Sequence, residues 1–413
     1  YTLRFSFMQK IVQKFGGTSV GTIDKIKHVC SLINKEIKSG NQVAVVSSAM
    51  SGETNKLVSL AENFDINKNK LEFDMIVSTG EQVSIALISM ALKEIGLKGV
   101  PLLGWQIPIT GSNDFTKAKI DNIDDSLVLD VMNKGEIPII AGFQGVNSKN
   151  NIVTFGRGGS DTSAVAIAAA IRADRCDIYT DVDGIYTSDP RIVEKARKLN
   201  KISYEEMLEF ASLGAKVLQT RSVEMAMRHE VLVQVLSSQT GEKGTFLTKE
   251  DKKMENELVS GIAYSKDEAN ITLINILDKP GVATKIFSPL SEANINVDMI
   301  VQTGSENGKN INFTYTVSRK DLEQTISIME ENKLGIEFER IITNNSLAKV
   351  SIVGLGMRTH TGVANKMFSS LASESINIHV ISTSEIKISV LIDEEYIEKA
   401  LNALHSTFKL DKK

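Results

Sequence analysis

A lysine, two glycines and two hydroxyl side chains stand together at residues 14–19, in the order Lys-Phe-Gly-Gly-Thr-Ser. They follow the apolar pair Ile11 and Val12 and precede a stretch with helical spacing, residues 23–37. Glycines let backbone N–H groups approach phosphate oxygens, and a lysine adds a point charge. A strand–turn–helix corner with an exposed lysine explains the same residues, so this segment alone leaves both interpretations open.

Residues 154–162 form a second polar segment, in which Arg157 and paired glycines precede an alanine-rich helix. A helix N terminus presents free N–H groups and the positive end of the helix dipole. Ser160 or Asp161 could act only as the helix N-cap. An N-cap does not explain an arginine beside two glycines, so the segment favours an anion site.

Three other polar features each leave two interpretations open. Residues 47–54 are small and hydroxylated, which suits a binding loop or an ordinary polar loop. Residues 180–191 combine a glycine turn with aspartates, a tyrosine and an arginine, and could wrap a nucleotide or form an acidic hairpin. Glu81 is either a carboxylate of the site or a charge that stabilises the start of a helix.

Strand-like and helix-like segments alternate from Met8 to about residue 248. We expect strands at 42–47, 137–143, 176–181 and 231–235, with helices such as 81–93 and 163–172 between them. This alternation predicts an α/β fold with a mostly parallel sheet. Ligands bind such sheets at loops beyond the carboxyl ends of the strands, which is where the polar segments stand.

The last third of the chain repeats itself. Residues 281–297 and 362–378 share nine identities at a constant offset of 81. A gapless repeat of this kind predicts a tandem pair of small modules. We therefore expect a catalytic domain over residues 8–248, a charged linker over 249–257, and modules over 258–340 and 341–413, the second of which strand 258–264 could complete.

Composition excludes several classes of protein. The net charge is −4 and there is no basic stripe, so nucleic acid is not an expected partner. No apolar run approaches the ~20 residues of a membrane span, so no membrane is expected. Cys30 and Cys176 stand far apart in apolar-rich segments, which indicates core residues in a reducing compartment and a cytoplasmic protein. The five histidines lack metal-ligand spacing, so we expect no metal-binding residues, and any magnesium would be held through carboxylates and phosphate. Met8 is the expected natural start.

Residues 14–19, 156–161 and 180–191, in this order and with the repeat, resemble the motifs of the aspartokinase family. The likeness runs from Met8 to the end of the chain and includes residues 143–145 and 213–218. It implies a three-layer α/β/α amino-acid-kinase sandwich followed by two ferredoxin-like (βαββαβ) ACT modules. A sensor with a decayed kinase half and another carboxylate or carbamate kinase of this fold are the alternatives.

The resemblance implies transfer of phosphate from ATP to L-aspartate, giving 4-phospho-L-aspartate, the first step towards lysine, threonine, methionine and diaminopimelate. A carboxylate acceptor has a pKa of about 3.9 and is ionised at pH 7, so no general base is needed. The obstacle is repulsion between the carboxylate and the γ-phosphate, about 4 kcal/mol for one charge pair at ~4 Å and an effective dielectric of ~20. Catalysis is therefore expected to rest on positioning and charge neutralisation.

The resemblance also assigns roles to residues. Lys14 and Asp161 are the expected catalytic residues, and Arg157 is expected to hold the α-carboxylate of aspartate. Glu81 and Asp161 are expected to take its ammonium group or to orient neighbouring groups. The expected substrate residues are Ser48, Thr54, Glu81, Phe143, Arg157, Gly158, Gly159 and Ser160. The expected nucleotide residues are Lys14, Phe15, Gly16, Gly17, Thr180, Asp181, Tyr186, Asp189, Pro190, Arg191 and Lys216. Magnesium is expected to bridge the phosphates of ATP.

The paired modules imply feedback regulation by lysine, threonine or both, and a homo-oligomer formed through the modules. The expected effector contacts are Asp278, Gly281, Ala283, Asn296, Gln302, Asn377, Ile378 and Ser384. The second module carries His360-Thr361-Gly362 where the first carries Lys279-Pro280-Gly281, so its loop lacks the proline. An internal start at Met254 would give a separate regulatory subunit.

Overall fold

A computed structural model describes residues 8–213, 217–251, 254, 257–304 and 309–412. The chain divides into two compact units: the first contains the residues up to Tyr186 and Lys198–Met254, and the second Thr187–Arg197 and the chain after Met254. Residues 1–7, Lys216 and part of the predicted linker lie outside the described residues. The predicted domain bounds stay predictions, although the structure groups residues 187–197 with the second unit and not with the segment 8–248.

The first unit is built on an eight-stranded sheet in the order β10-β12-β11-β9-β1-β2-β6-β3, and a four-stranded sheet in the order β5-β4-β7-β8. In the larger sheet, β12 runs antiparallel to β11, and the other neighbouring pairs are parallel. The strands are β1 Lys10–Phe15, β2 Gln42–Ser47, β3 Gly99–Leu102, β4 Ile109–Gly111, β5 Ile120–Ile123, β6 Ile137–Ala141, β7 Gln144–Val146, β8 Ile152–Thr154, β9 Arg175–Thr180, β10 Lys201–Ser203, β11 Val233–Ser237 and β12 Thr245–Thr248.

Helices cover both faces of this sheet, as the alternating pattern predicts. They are α1 Ile23–Lys38, α2 Glu53–Ala61, α3 Lys70–Val77, α4 Thr79–Glu94, α5 Ser126–Asn133, α6 Gly159–Ala170, α7 Tyr204–Ser212 and α8 Thr220–Arg228. Thr22 caps α1 by accepting the N–H of Lys25, and Ser203 with Glu206 forms a capping box at α7. The apolar stripes of α1 and α4 pack on β1, β2 and β6 in one core cluster.

The helix α6 contacts β1, β2 and β9. It is almost entirely buried and rich in alanine, so it lies close to the strands. Its N terminus therefore stands at the carboxyl ends of the central strands. The predicted mostly parallel α/β sandwich is confirmed, with strand and helix ends shifted by a few residues.

Residues 70–94, which form α3 and α4, are long and apolar enough to cross a membrane by length and composition alone. Half of the apolar window is buried inside the protein, and the stretch carries the buried carboxylates Asp74 and Glu81. A core helix passes the same test of length and composition, so this stretch is weak evidence for a membrane span.

The second unit contains a six-stranded antiparallel sheet in the order β14-β15-β13-β16-β18-β17. Its strands are β13 Gly261–Leu277, β14 Val297–Gly304, β15 Asn310–Val317, β16 Arg340–Val353, β17 Val380–Thr383 and β18 Lys387–Asp393. Its helices are α9 Val282–Glu292, α10 Leu322–Glu331, α11 Lys333–Ile336, α12 Val363–Ser373 and α13 Ile397–Thr407.

Two long strands serve both repeats. The first part of β13, from Gly261, pairs with β16 near Val353, and its second part pairs with the start of β16 near Arg340. Val259 and Ile262 lie in the core of the second repeat, among residues of α12 and α13. The second module therefore contains a strand that precedes the first module in sequence, and the two predicted ferredoxin-like modules share one sheet.

Candidate functional site

Lys14 lies near the end of β1, and its Nζ is 2.6 Å from Oδ1 of Asp161. Both side chains are about nine-tenths buried. Asp161 stands in the first turn of α6, where N–H groups and the helix dipole attract negative charge. The structure thus joins the lysine of the first polar segment to the helix start of the second segment, through a charge pair that an anion could compete for.

Glycines make the approach to α6 possible. Gly156 and Gly158 both have φ near +71°, a left-handed conformation that favours glycine. A Cβ on Gly159 would lie 2.8 Å from Cδ2 of Phe143, and one on Gly142 would lie 2.9 Å from Cβ of Ser160. These contacts bring Phe143 and Ser160 together, and Arg157 projects from the same turn as an exposed side chain.

Glu81 is the second charged centre of the site. It lies in the first turn of α4 but is only 3% exposed, and its Oε1 accepts the backbone N–H of Ala49 at 3.0 Å. Its Oε2 is buried without a hydrogen-bond partner. Burial raises the pKa of Glu81 to about 7. A buried carboxylate with one oxygen that lacks a hydrogen-bond partner suits a cationic ligand. A charge that only stabilises the start of a helix would not need to be buried.

Ala49 connects this carboxylate to the lysine segment. A Cβ on Gly17 would lie 2.9 Å from the Ala49 carbonyl oxygen, and the N–H of Ser48 donates to the carbonyl of Phe15 at 3.0 Å. Thr54 lies on α2, one residue into the helix that follows this loop. Ser48 therefore adjoins the Lys14–Ser19 segment, and Thr54 stands on the helix that follows the same loop.

Among the predicted nucleotide residues, the Phe15 side chain is not accessible to a ligand, whereas the Gly16 backbone N–H is only weakly hydrogen-bonded. The ring of Phe15 is fully buried and stacks on Tyr179 with centroids 4.6 Å apart, so its side chain belongs to the core. The N–H of Gly16 donates to the carbonyl of Tyr179 at 3.4 Å. This hydrogen bond is long, so the N–H is only weakly bonded within the protein.

The loop after β9 is ordered by its own side chains. Asp183 accepts hydrogen bonds from the hydroxyl of Tyr186 at 3.0 Å and from Nζ of Lys198 at 3.2 Å. The hydroxyl of Thr180 donates to the exposed Asp181 at 3.1 Å. These contacts shape the predicted nucleotide loop, with Asp183 as a residue to which the sequence pattern assigned no role.

The predicted nucleotide residues Asp189, Pro190 and Arg191 belong to the second unit. Within it, Asp189 accepts two hydrogen bonds from the Arg191 guanidinium, at 3.0 and 2.7 Å, and one from the hydroxyl of Tyr264 at 3.2 Å. The Arg191 bonds hold the pKa of Asp189 below its usual value. Lys216, the remaining nucleotide candidate, lies outside the described residues.

Sequence reasoning missed three residues that hold the substrate loops. Gln144 donates to the carbonyl of Ser78, between α3 and α4, at 2.8 Å. Arg221 of α8 donates to the carbonyl of Phe155 at 2.7 Å. Asp74 is fully buried and bonds to Thr154. The signal for Asp74 was a lone carboxylate in the apolar helical stretch Phe73–Val77.

The predicted effector residues lie around the loops of the two repeats. Gly281 and Gly362 are the N-caps of α9 and α12, with φ of +90° and +85°. Asn296, Asn377 and Gln302 are exposed, and Ile378 packs against the core of the second repeat. Ser384 lines a cleft of about 500 Å³ with Arg358, His360 and Glu385. The other two candidates, Asp278 and Ala283, flank the Gly281 turn.

The donor set near Lys14 suits a magnesium ion that phosphates hold. Among the residues that the structure describes, no group of three or more His, Cys, Asp or Glu side chains could hold a metal. Mg²⁺ is commonly held by one or two carboxylates with substrate phosphates and waters. Asp161 beside Lys14 can supply one such carboxylate.

Three family profiles match the chain. The amino acid kinase family matches residues 9–237, and the ACT domain matches residues 271–333 and, in a second form, residues 350–408. Together they cover the mostly parallel sandwich and both repeats.

Named relatives and solved structures agree with these profiles. The aspartokinase of Pseudomonas aeruginosa is 51% identical over 98% of each chain. The structure of Escherichia coli aspartokinase III in complex with aspartate and ADP has a TM-score of 0.79 and 27% identity, over 97% of this chain and 99% of that one. The same E. coli enzyme in complex with lysine and aspartate also has a TM-score of 0.79, at 27% identity, over 96% and 99% of the two chains.

Proposed function

This chain belongs to the aspartokinase family, and on that basis we propose that it transfers the γ-phosphoryl group of ATP to the side-chain carboxylate of L-aspartate. The observation that carries the proposal is a site with two opposite charge preferences. Glu81 offers a buried carboxylate oxygen to an ammonium group, while Arg157 and the N terminus of α6 suit a carboxylate. An α-amino acid carries both groups.

The chemistry needs little from the protein beyond placement and charge. The acceptor carboxylate is already ionised at pH 7, so no side chain has to remove a proton. Lys14 is proposed to leave Asp161 and neutralise the phosphoryl group as it passes between two anions. Thr180, Asp181 and Tyr186 are proposed to line the nucleotide. The nucleotide roles of Asp189, Pro190, Arg191 and Lys216 stay predictions from the sequence. Asp161 would supply a carboxylate to a bound magnesium ion, which would neutralise phosphate charge.

Replacement of Lys14 tests the proposal. Aspartyl-hydroxamate trapping with ATP and aspartate should show product for the unaltered chain and none for Lys14→Ala. Lys25→Ala is the matched control, because the Lys25 Nζ donates to the carbonyl of Thr18 in the same segment, at 2.9 Å, and is exposed. Full activity of Lys14→Ala would refute the role of Lys14, and faster reaction with glutamate or N-acetylglutamate than with aspartate would refute the acceptor.

The product is proposed to be 4-phospho-L-aspartate, which feeds lysine, threonine, methionine and diaminopimelate synthesis in the cytoplasm. We propose that lysine, threonine or both inhibit the enzyme through the ACT modules, supported by the E. coli relative solved with lysine. A coupled ADP-release assay at subsaturating aspartate, with each amino acid at millimolar concentration, tests this. Unchanged rates with both would refute feedback regulation by these two amino acids.

The modules are also proposed to pair between chains. The exposed apolar side chains Ile300, Ile342 and Ile381 all lie on strands of the shared sheet. Sedimentation of the full chain should give a mass above that of one chain, and a monomer across the micromolar range would contradict the proposal.

A further inference from the structure

Asp74 is a buried carboxylate that no step of the proposed reaction uses. It lies on α3 and is 0% exposed. Its Oδ2 accepts the backbone N–H groups of Thr116 and Thr154, each at 2.9 Å, and its Oδ1 accepts the Thr154 hydroxyl at 2.7 Å. One side chain thus holds two separate backbone segments to a helix.

Asp74 connects the helix pair that carries Glu81 to the strand that precedes Arg157. Helix α3 ends at Val77 and α4 starts at Thr79, so Asp74 stands about two helical turns before Glu81. Thr154 is the last residue of β8, directly before the Phe155–Gly158 turn that carries Arg157. The carboxylate therefore links the helix pair of Glu81 to the strand that delivers Arg157.

Two other side chains, Gln144 and Arg221, also hold the backbone around this strand end. Gln144 ties β7 to the α3–α4 junction through the carbonyl of Ser78. Arg221 holds the carbonyls of Phe155 and Lys117, at 2.7 and 3.1 Å. Gln144 also pairs with Thr154 across β7 and β8, so it supports the same strand end. Asp74 differs in bonding directly from the helix to both the backbone and the hydroxyl of Thr154.

We propose that Asp74 is a positioning residue for the amino-acid substrate, which sets the separation of Glu81 and Arg157 by holding Thr154 to α3. This inference rests on the proposed function of the site. An amino acid whose ammonium and carboxylate groups are bound by two different elements is sensitive to their spacing, since a displacement of about 1 Å can cost about a hundredfold in rate.

The hydrogen bonds define which substitutions separate geometry from charge. In Asp74→Asn, the amide oxygen can accept both backbone N–H groups, while the amide nitrogen donates to the Thr154 hydroxyl. All three connections can therefore survive the loss of charge. In Asp74→Ala, two buried N–H groups lose their acceptor. Thr154 then loses its hydrogen bonds to α3, although its pairing with Gln144 of β7 remains.

The experiment compares KM for aspartate with KM for ATP in the full chain. We expect Asp74→Ala to raise the aspartate KM by about tenfold or more, with the ATP KM changed by less than about threefold, and Asp74→Asn to restore near-normal values. Thr154→Val removes one of the three bonds and should give an intermediate aspartate KM. It also provides the readout if Asp74→Ala does not fold.

Glu206→Ala is the matched control, because Glu206 is an equally buried carboxylate whose capping box starts α7 in the same unit. It should lower the melting temperature without a selective change in aspartate KM. Folded Asp74→Ala or Thr154→Val with an unchanged aspartate KM would overturn the inference, as would equal changes in both KM values. Failure of the proposed function is a different result, because the unaltered chain would then form no ADP with aspartate.

Discussion

The charge state of Glu81 gives a sharp prediction about pH. Burial raises its pKa to about 7 in the free protein, and one of its oxygens has no partner. An ammonium group binds the ionised carboxylate, so aspartate affinity should rise as pH increases through 7. The apparent affinity scales with the ionised fraction, which is about 0.1 at pH 6 and about 0.9 at pH 8. The aspartate KM should therefore fall about tenfold between these pH values.

The assay is coupled ADP release with saturating ATP and varied aspartate from pH 6 to 8.5. Glu81→Gln should raise the aspartate KM throughout and remove its pH dependence, because a neutral amide does not titrate in this range. The KM for ATP is the internal control and should change little with the substitution. An aspartate KM in the unaltered chain that is flat from pH 6 to 8 would refute the reasoning.

The Glu81 carboxylate affects folding stability in the opposite direction: aspartate affinity rises with pH, whereas the free energy of unfolding falls. Its pKa rises from 4.5 in the unfolded chain to about 7 when folded, so the folded state holds the proton more tightly. Stability is therefore lost as pH rises from 4.5 to 7, by about 3 kcal/mol in all. Glu81→Gln should raise the melting temperature of the ligand-free protein at pH 8 and have little effect at pH 4.5. Equal melting temperatures at pH 8 would contradict the burial argument.

Two further predictions concern a turn and a buried histidine. Gly158→Ala should abolish activity, because its added Cβ would overlap the side chain of Gln219 and its φ is +71°. Gly135 has a similar φ, +73°, but open space around it. Gly135→Ala should therefore lose only about 1–2 kcal/mol of stability. Equal activity of the two variants would contradict this. In the second unit, His405 Nε2 lies 2.9 Å from the Thr187 hydroxyl, and burial lowers the pKa of His405 below 6.5. As pH falls, the unfolded chain therefore takes up the proton at a higher pH than the folded chain. Calorimetry should show the second unit losing stability as pH falls below about 6.5, and the loss should be smaller in His405→Gln.

The sequence by itself determined the class of fold and the positions of the polar segments. Alternating apolar runs predicted the parallel sheet, because buried strands and amphipathic helices differ in their periodicity. The repeat at offset 81 predicted two modules, because matching residues at a constant spacing need no knowledge of contacts to be recognised. The segments at Lys14 and Arg157 carry their chemistry in adjacent residues, so a local pattern was enough to find them.

The tertiary structure decided what depends on contacts between distant residues. The residues around Glu81 left open whether it is a site carboxylate or a helix-start charge. Only the fold shows that it is buried, with one oxygen bonded to Ala49 and the other without a partner. The proposed role of Asp74 rests on its hydrogen bonds to Thr154, far along the chain. The Thr187–Arg197 segment joined the second unit, and β13 joined both modules, because strand pairing and burial link residues across long separations that no local pattern encodes. Only the folded chain sets the spacing of Glu81 and Arg157, on which the proposed binding of aspartate depends.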